Sequence, residues 1–507
     1  MSLNRVCLTI FGLGLIAATP APAQAAWSQA LSPHFIVYSE GRAKSVVGFA
    51  EKLEKFDYLL RTMTGVKEDG PVSPVRVYML GDGAQVESLA GRKGIAGYYS
   101  TSARNAFAVV TRGTKDSQFD IASEDILFHE YAHHFMLHYF PAAYPAWYVE
   151  GFAEFYSVVK FPADGAIEFG HVPMYRVPDL VMTGLYPLDK LFTLTTAELT
   201  RADMSRFYAT AWLLTHYFRF NGERGKQFQV YLRDLTNGTK DVTIANHFAG
   251  GVDALEKELR AYMRGRLSFN RLTPKEMPAI SAAVTPLEPA RAALIVDEIR
   301  IQGRVAAEAR AAIADRIRLG AARFPQSAYA QALLADAEQL ADHDSAALAA
   351  ADRALAIDPA YEPAMARKAA LLLDMAAASD KADDWTAARK TIVQANRADL
   401  EDPVPLVLYY RYQQMKGGPM PEVAFDGLFK AYRLLPQNSD YSFMLATAFA
   451  NRKDYDSAIN VLGPIAFSPH ASGAREAAIK LSDAFAQAKA GKVVSLEVPD
   501  TEQSESE

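Results

Sequence analysis

Two histidines and a glutamate in HEYAHH, residues 129–134, form the strongest chemical signal in this sequence. On a helix, His129 and His133 fall one turn apart on one face. Their imidazoles can therefore reach the same ion, and zinc accepts such nitrogen ligands. Glu130 is rotated by about 100° from His129, which suits a carboxylate that holds a metal-polarised water. The HExxH spacing therefore predicts a metal site for hydrolysis.

A third ligand is required, with a fourth position left open for water. The candidate is Glu150 in AWYVEGFAEFY, residues 146–156, which follows His133 with 16 residues between them. A solvated carboxylate near a helix start is the alternative interpretation. His134 and His138 lie about 140° and 180° from the first histidine on the helical wheel. We predict that these two pack or face solvent.

The two motifs together resemble the signature of gluzincin metallopeptidases. WYVEGFAEF, residues 147–155, is similar to the aminopeptidase N type, in which tryptophan leads, glutamate is the ligand, and glycine and alanine follow. The resemblance implies a zincin-like α+β fold and a zinc ion held by His129, His133 and Glu150. It also implies that Glu130 is the catalytic base. Imidazole and carboxylate ligands also suit other divalent ions.

The same resemblance implies two supporting residues. In thermolysin-like enzymes an acid one turn after the ligand glutamate orients the first histidine, which implies a second-shell role for Glu154. A plain surface acid is the alternative. Aminopeptidase-like members use a tyrosine about 60 residues after the ligand glutamate to donate to the oxyanion. Tyr208 lies at that place, 58 residues after Glu150. A core tyrosine is equally compatible with the pattern, and Tyr217 is the rival candidate.

One departure from the aminopeptidases affects the expected substrate. Those enzymes recognise a free amine with an acidic motif on the strand before the zinc helix. Here GIAGYYS, residues 94–100, and AFAVVTR, residues 106–112, flank a polar turn and contain no acid. They predict a hairpin whose edge can pair with an extended peptide. We therefore expect an endopeptidase rather than an enzyme that acts on free N-termini.

The elements that must position these residues have clear sequence patterns. Residues 123–140 predict a helix that carries HExxH, with acids in its first turn and Pro141 at its end. Gly151 and Ala153 would let the next helix lie close to it. A third helix is predicted over residues 207–225, with a stop at Asn221-Gly222 and Tyr208 near its start.

The remainder of the N-terminal half predicts a small sheet packed on helices. PHFIVYS, residues 33–39, and PVRVYML, residues 74–80, are rich in β-branched and aromatic residues, as strands are. Between them, apolar residues recur at helical spacing from Val46 to Leu60, and Gly65 is a plausible helix stop.

From about residue 280 the sequence shows no convincing strand. Alanine and leucine dominate, and prolines recur at intervals of 34, 44, 33 and 33 residues. This pattern resembles tetratricopeptide repeats, whose period is 34 residues. A plain alanine-rich helical bundle is the alternative. Such repeats stack into a concave surface that binds a protein substrate or partner. The recurring prolines are Pro325, Pro359, Pro403, Pro436 and Pro469.

The first residues predict an export signal. Arg5 gives a positive start, residues 6–18 are apolar, and residues 23–25 fit a small-x-small cleavage site. The apolar run is shorter than the about 20 residues that span a bilayer. The only cysteine, Cys7, lies within it. We therefore expect a cysteine-free mature protein in the periplasm or secreted, with no membrane span after cleavage.

Composition and these patterns together define the expected organisation. The chain has 507 residues, 22% of them charged, and a net charge of −6, which gives no basic footprint for nucleic acid. Four segments are predicted: a signal peptide over 1–25, a gluzincin-like domain over 26–275, tetratricopeptide-like repeats over 276–490, and a disordered acidic tail over 491–507.

Three functions are compatible with the sequence. The first is an exported zinc endopeptidase whose repeats recruit a protein substrate. The second is an envelope scaffold of repeats in which the zinc domain is inactive or regulatory. The third is a zinc hydrolase for another bond, such as a cell-wall amide. An intact Glu130 favours catalysis, because a structural zinc site has no need for that residue.

Overall fold

An N-terminal α/β region is followed by an all-helical region in the computed structural model of the chain. The signal peptide predicted over residues 1–25, and the acidic tail predicted over 491–507 from residue 494 onward, lie outside the described residues. The structure describes residues 27–67, 73–113, 121–193, 199–237, 239, 242–274, 282–303, 305–468 and 472–493.

The α/β region is built on a six-stranded mixed sheet. Its strand order is β4-β5-β3-β2-β1-β8, in which β2, β3 and β5 are parallel and the other pairings are antiparallel. The two predicted strands and the predicted hairpin are all present. The strands are β1 Ser28–Leu31, β2 Phe35–Ser39, β3 Val75–Leu80, β4 Gly97–Thr101, β5 Ala106–Thr111, β6 Ile167–Phe169, β7 Asn270–Leu272 and β8 Ala283–Pro286. Strands β6 and β7 form a separate antiparallel pair.

Strand β8 corrects the expectation that no strand follows residue 280. It pairs with β1 along one edge, so the sheet extends past the boundary predicted at residue 275. Its four side chains are largely exposed. An edge strand of this kind is held by backbone pairing on one side, and it therefore lacks the apolar run that identifies buried strands.

Helices surround the sheet and carry the candidate site. Gly65 adopts a left-handed conformation with φ 73° and ends α1, as predicted. The HExxH helix and the helix after it also form where the sequence predicts them. The helices are α1 Ala43–Thr64, α2 Gly83–Ala90, α3 Ser123–Tyr139, α4 Ala146–Ser157, α5 Val177–Met182, α6 Leu188–Leu191, α7 Arg201–Phe220, α8 Gly222–Thr236, α9 Ile244–His247 and α10 Gly251–Met263.

The start of α7 differs from the prediction, although its end is as expected. The helix begins at Arg201, where the Thr200 side chain accepts a hydrogen bond from the Asp203 amide. Tyr208 therefore lies two turns inside the helix. The polar first turns show no apolar periodicity, which is why the pattern identified the helix only from residue 207 onward. Asn221 ends α7 and caps α8.

Gly151 allows a close crossing between α4 and α7 rather than between α4 and α3. A Cβ atom at residue 151 would lie 2.6 Å from the carbonyl oxygen of Ala211 and would also collide with Thr215. Both of these α7 residues are fully buried. Because Glu150 is the neighbouring residue, this crossing also fixes the position of the candidate ligand.

We expect Gly151→Ala to destabilise the fold by about 1–3 kcal/mol, because the added methyl group overpacks a rigid contact. Denaturant unfolding followed by circular dichroism measures the change. Gly48→Ala is the matched control, since Gly48 is inside α1 and a Cβ there meets nothing within 4 Å. That control should be neutral or stabilising by up to about 1 kcal/mol. Equal destabilisation by both substitutions would contradict the packing account.

The C-terminal region is a stack of helical pairs, which we call the helical array. Pro325, Pro359 and Pro436 lie in the connections between successive pairs, Pro403 begins α17, and Pro469 lies outside the described residues. The 44-residue spacing spans α15 and α16, which have 18 and 17 residues. The array helices are α11 Pro289–Gln302, α12 Ala307–Ala321, α13 Ala328–Leu340, α14 Asp344–Ile357, α15 Glu362–Ser379, α16 Ala382–Ala398, α17 Pro403–Lys416, α18 Glu422–Leu434, α19 Ser439–Asn451, α20 Tyr455–Ala466 and α21 Gly473–Lys489.

Both ends of the array pack on the α/β region. At the first end, Ile295 and Ile299 of α11 join Tyr38 and Tyr78 in a core on one face of the sheet. At the other end, the last helical pairs join the main core that contains α3 and α4. None of the described helices has the length and apolar character of a membrane span.

Candidate metal centre

Two consecutive helices supply the candidate metal ligands. His129 and His133 project from one face of α3, and Glu150 comes from the first half of α4. Every residue of α4 is buried, so Glu150 is carried into the interior with an exposure of 0%. A carboxylate in this position must be compensated by neighbouring positive charge or hydrogen bonds.

The three side chains converge on one point. The Nε2 atoms of His129 and His133 are 3.1 Å apart, and Oε2 of Glu150 lies 3.3 Å from the first and 3.4 Å from the second. Ligands at the corners of a tetrahedron around zinc are separated by about 3.3–3.4 Å, which follows from metal–ligand distances of about 2.0–2.1 Å. The donor set therefore fits a divalent metal, and this group can hold a metal ion.

The electrostatic field at these residues favours a cation. Burial lowers the pKa of His129, but a hydrogen bond to Glu150 and the charges of Glu154, Glu150 and Glu130 together raise it to about 9. Three carboxylates thus act on one imidazole. A bound metal ion would satisfy the same negative potential that attracts a proton to this ring.

Glu130 lies beside the ligand group and close to the edge strand. It is partly exposed, and its charge contributes to the raised pKa of the Tyr99 hydroxyl on β4, after the larger effect of burial. It also acts on His129. The charge of Glu130 therefore acts both on the first candidate ligand and on β4.

Glu154, for which the resemblance implies a supporting role, lies near the other nitrogen of the first histidine. Its Oε1 is 3.7 Å from Nδ1 of His129, which is longer than a hydrogen bond, so it acts on the ring through charge. Its exposure is 1%. The direct partner of Oε1 is the guanidinium of Arg176, at 2.6 Å, while the Tyr175 hydroxyl donates to Oε2 at 3.2 Å.

Arg176 and Tyr175 were missed by sequence reasoning. They come from a single 3₁₀ turn, Met174–Arg176, that carries no recognisable motif. The Arg176 guanidinium lies 5.0 Å above the ring of Tyr208 and donates to Ser205 on α7. This arginine thus links the acid behind His129 to the helix that carries the tyrosine candidate.

Of the two tyrosine candidates, only Tyr208 lies at the site. Its ring centroid is 6.3 Å from that of His129. Burial and the charges of Glu150 and Glu154 raise the pKa of Tyr208 well above its ordinary value, so the hydroxyl keeps its proton. The hydroxyl of Tyr217 instead donates to Glu258 at 2.7 Å.

The other two histidines of α3 are not part of the ligand group. Nδ1 of His134 is 2.8 Å from the Tyr99 hydroxyl, and burial lowers the pKa of His134 well below its ordinary value. Burial also lowers the pKa of His138 to about 4. Both rings are therefore neutral packing residues, in agreement with their positions on the helical wheel.

Glu154→Gln is expected to weaken metal affinity by about 10–100-fold, because the charge that supports His129 is removed. Competition with a chromophoric chelator measures this change. Glu168→Gln is the matched control, since Glu168 also pairs with a histidine, His171, and an arginine, Arg271, away from the ligands. Equal metal affinity of the Glu154 variant and the control would refute a supporting role for Glu154.

Comparison with known proteins adds no relative. The chain matches no protein-family model, and no curated protein is detectably similar to it in sequence. The assignment of this site therefore rests on the donor types, their distances and their burial.

Proposed function

We propose that this protein is an exported zinc metallopeptidase of the gluzincin type, with a zincin-like domain and tetratricopeptide-like repeats. The proposal rests chiefly on the convergence of His129, His133 and Glu150 at 3.1–3.4 Å with the acid of HExxH beside them. Zinc is the metal that best suits two imidazoles and one carboxylate with an open fourth position.

The surrounding residues have the chemistry that amide hydrolysis needs. When bound, zinc would supply an acidified water and a Lewis acid. Glu130 would accept a proton from the attacking water and return one to the leaving amine. The hydroxyl of Tyr208 would donate to the oxygen on which negative charge develops. Glu154, held by Arg176, keeps the ring of His129 oriented.

The edge strand β4 offers a place for an extended peptide. Within the described residues it pairs only with β5. The Thr111 amide donates to the carbonyl of Ala96, and the Ser102 amide donates to the carbonyl of Asn105. These two bonds show that the even-numbered residues of β4 direct their backbone groups to β5. By the alternation of antiparallel pairing, Gly97, Tyr99 and Thr101 direct their backbone groups to the free edge.

These features favour cleavage within a chain. A free substrate amine would need an acidic partner at the end of the cleft, and neither β4 nor β5 carries an acid. Backbone pairing along β4 requires only an extended segment. We therefore propose endopeptidase activity on an exported protein or peptide, in the periplasm or outside the cell.

The proposal is tested with internally quenched peptides of mixed sequence. The zinc-loaded protein should cleave them at internal bonds, and a chelator should abolish cleavage until zinc is restored. Absence of cleavage across a diverse peptide set, with one zinc bound per chain, would refute the peptidase assignment. Hydrolysis of cell-wall amides by the same preparation would then favour a different substrate class.

Tyr208→Phe is expected to lower kcat by about 10²–10³-fold, which is the effect of removing one oxyanion donor. Zinc affinity should remain within about threefold of wild type, because the hydroxyl is not a ligand. Tyr217→Phe is the control on the same helix, since its hydroxyl contacts Glu258 away from the site. A larger loss of activity in the Tyr217 variant would reverse the assignment.

A further inference from the structure

The turn between β4 and β5 is inserted into the helical array. We call residues 102–105 the hairpin tip. Nη1 of Arg104 donates to Asp402 at the start of α17, at 2.6 Å, and to Glu362 at the start of α15. Its Nη2 donates to the carbonyl of Pro363 at 3.4 Å. Two helical pairs of the array thus contact a single arginine of the α/β region.

Backbone groups of the hairpin tip are also held by the array. The side-chain Nδ2 of Asn438 donates to the carbonyl of Ser102 at 3.1 Å, and the Tyr441 hydroxyl donates to the carbonyl of Ala103. Both array residues lie at the start of α19. The start of a third helical pair therefore contacts the same four-residue tip.

The array also contacts α3, the helix that carries the two candidate histidine ligands. The side chain of Gln437 donates to the carbonyl of His134 at 3.0 Å. His134 directly follows the ligand His133 on α3, and its ring contacts the Tyr99 hydroxyl on β4. One segment of the array, residues 437–441, therefore touches both the hairpin tip and the helix that carries the two candidate histidine ligands.

The arginine contact is well shielded from solvent. The side chains of Arg104, Glu362 and Asp402 are 26%, 16% and 4% exposed. Burial, followed by a hydrogen bond with the adjacent Asp402, raises the pKa of Glu362 to about 8, and the charge of Arg104 opposes this shift. Loss of Arg104 would leave a buried carboxylate without its cation, which disfavours the docked position of the tip.

An edge strand binds a peptide with higher affinity when the strand is already ordered in the free protein. All five residues of β4 are partly exposed, and the strand has a pairing partner on one side only among the described residues. A strand that had to become ordered during binding would lower the affinity for its ligand. The contacts at the hairpin tip hold the chain directly after Thr101, the last residue of β4.

We infer that Arg104 is a positioning residue through which the helical array holds the free edge of β4 in place for substrate pairing. The inference rests on the proposed function of β4 as the substrate-binding edge. It gives the helical array a role in substrate binding at β4, in addition to the recruitment of a protein substrate. Substrate affinity should then depend on the contact of Arg104 with Glu362 and Asp402, none of which is a candidate metal ligand.

Hydrogen exchange tests this inference without any assay of activity. The amides of Tyr98 and Ser100 face β5 and report whether the hairpin is closed. In Arg104→Gln their exchange should be at least about tenfold faster than in wild type, because local opening becomes easier. Arg104→Lys should be intermediate, since an ammonium group can donate to both carboxylates but lacks the second nitrogen that donates to the carbonyl of Pro363.

Arg271→Gln is the matched control, because Arg271 also pairs with two carboxylates, Asp164 and Glu168, but lies on β7, in a different sheet from β4. Hydrogen exchange at the amides of Tyr98 and Ser100 should be unchanged in this control variant. The double variant Glu362→Gln/Asp402→Asn provides a second route to the same result if Arg104→Gln does not fold, because it removes both carboxylates that Arg104 contacts. Wild-type exchange at Tyr98 and Ser100 in a folded form of either variant would overturn the inference.

Kinetics separate positioning from a general loss of structure. Arg104→Gln should raise KM by about tenfold and leave kcat within about twofold of wild type. A lower kcat at unchanged KM would indicate a reduced fraction of folded enzyme and would overturn the positioning role. If the wild-type protein cleaves no peptide, the proposed function fails, whereas the exchange measurement still decides whether Arg104 holds β4.

Discussion

Replacing Glu130 with Gln is expected to lower kcat for peptide hydrolysis by about 10²–10⁴-fold, because the group that moves the proton is lost. The zinc content should remain at one ion per chain, since the three ligands are unchanged. Glu130 is not one of the three candidate ligands, and its charge acts on His129 and on Tyr99. Measurement of kcat and of bound zinc on the same preparation distinguishes a catalytic role from a structural one.

Glu124→Gln is the matched control for this experiment. Glu124 is on the same helix, but its carboxylate pairs with Lys52 at the surface. That variant should retain wild-type activity. If the Glu130 variant kept more than about one tenth of the wild-type kcat, general-base catalysis by this residue would be excluded. An unchanged cellular phenotype would leave only the scaffold hypothesis.

Replacing Glu150 with Gln is expected to cause the largest loss of metal affinity. The substitution keeps the shape of the side chain but removes a negative charge from a site with 0% exposure. The affinity should fall by more than about 100-fold, beyond the range of an outer-shell partner such as Glu154. Isothermal titration with zinc, together with the far-ultraviolet circular dichroism of both apo proteins, measures this effect.

The relative loss of metal affinity in the two variants identifies which carboxylate is the ligand. Affinity should decrease from wild type to Glu154→Gln and decrease further to Glu150→Gln. A larger loss in the Glu154 variant would mean that Glu154, and not Glu150, ligates the metal. That outcome would require a rearrangement of Arg176, which now donates to Glu154 at 2.6 Å.

Local patterns account for the parts of the site that the sequence predicted. His129 and His133 share a face because four residues make about one helical turn. Glu150 lies on the next helix, which Pro141 and Pro145 separate from the first. The hairpin of β4 and β5 was likewise predictable, because two apolar runs flank a short polar turn.

Long-range contacts account for what the sequence could not reveal. Arg176 reaches Glu154 across 22 residues from a turn without a motif. Arg104 contacts Glu362 across 258 residues, and no periodicity connects the two. Strand β8 has no hydrophobic pattern because it is an exposed edge. In each case the interaction depends on tertiary packing, which local spacing does not encode.

We propose that His129, His133 and Glu150 bind one metal ion between α3 and α4. The decisive experiment is anomalous diffraction from a crystal of the zinc-loaded protein, recorded on both sides of the zinc absorption edge. We expect a single strong peak within bonding distance of all three donor atoms. A fully loaded crystal with no peak there, or with its peak at another group of residues, would contradict it.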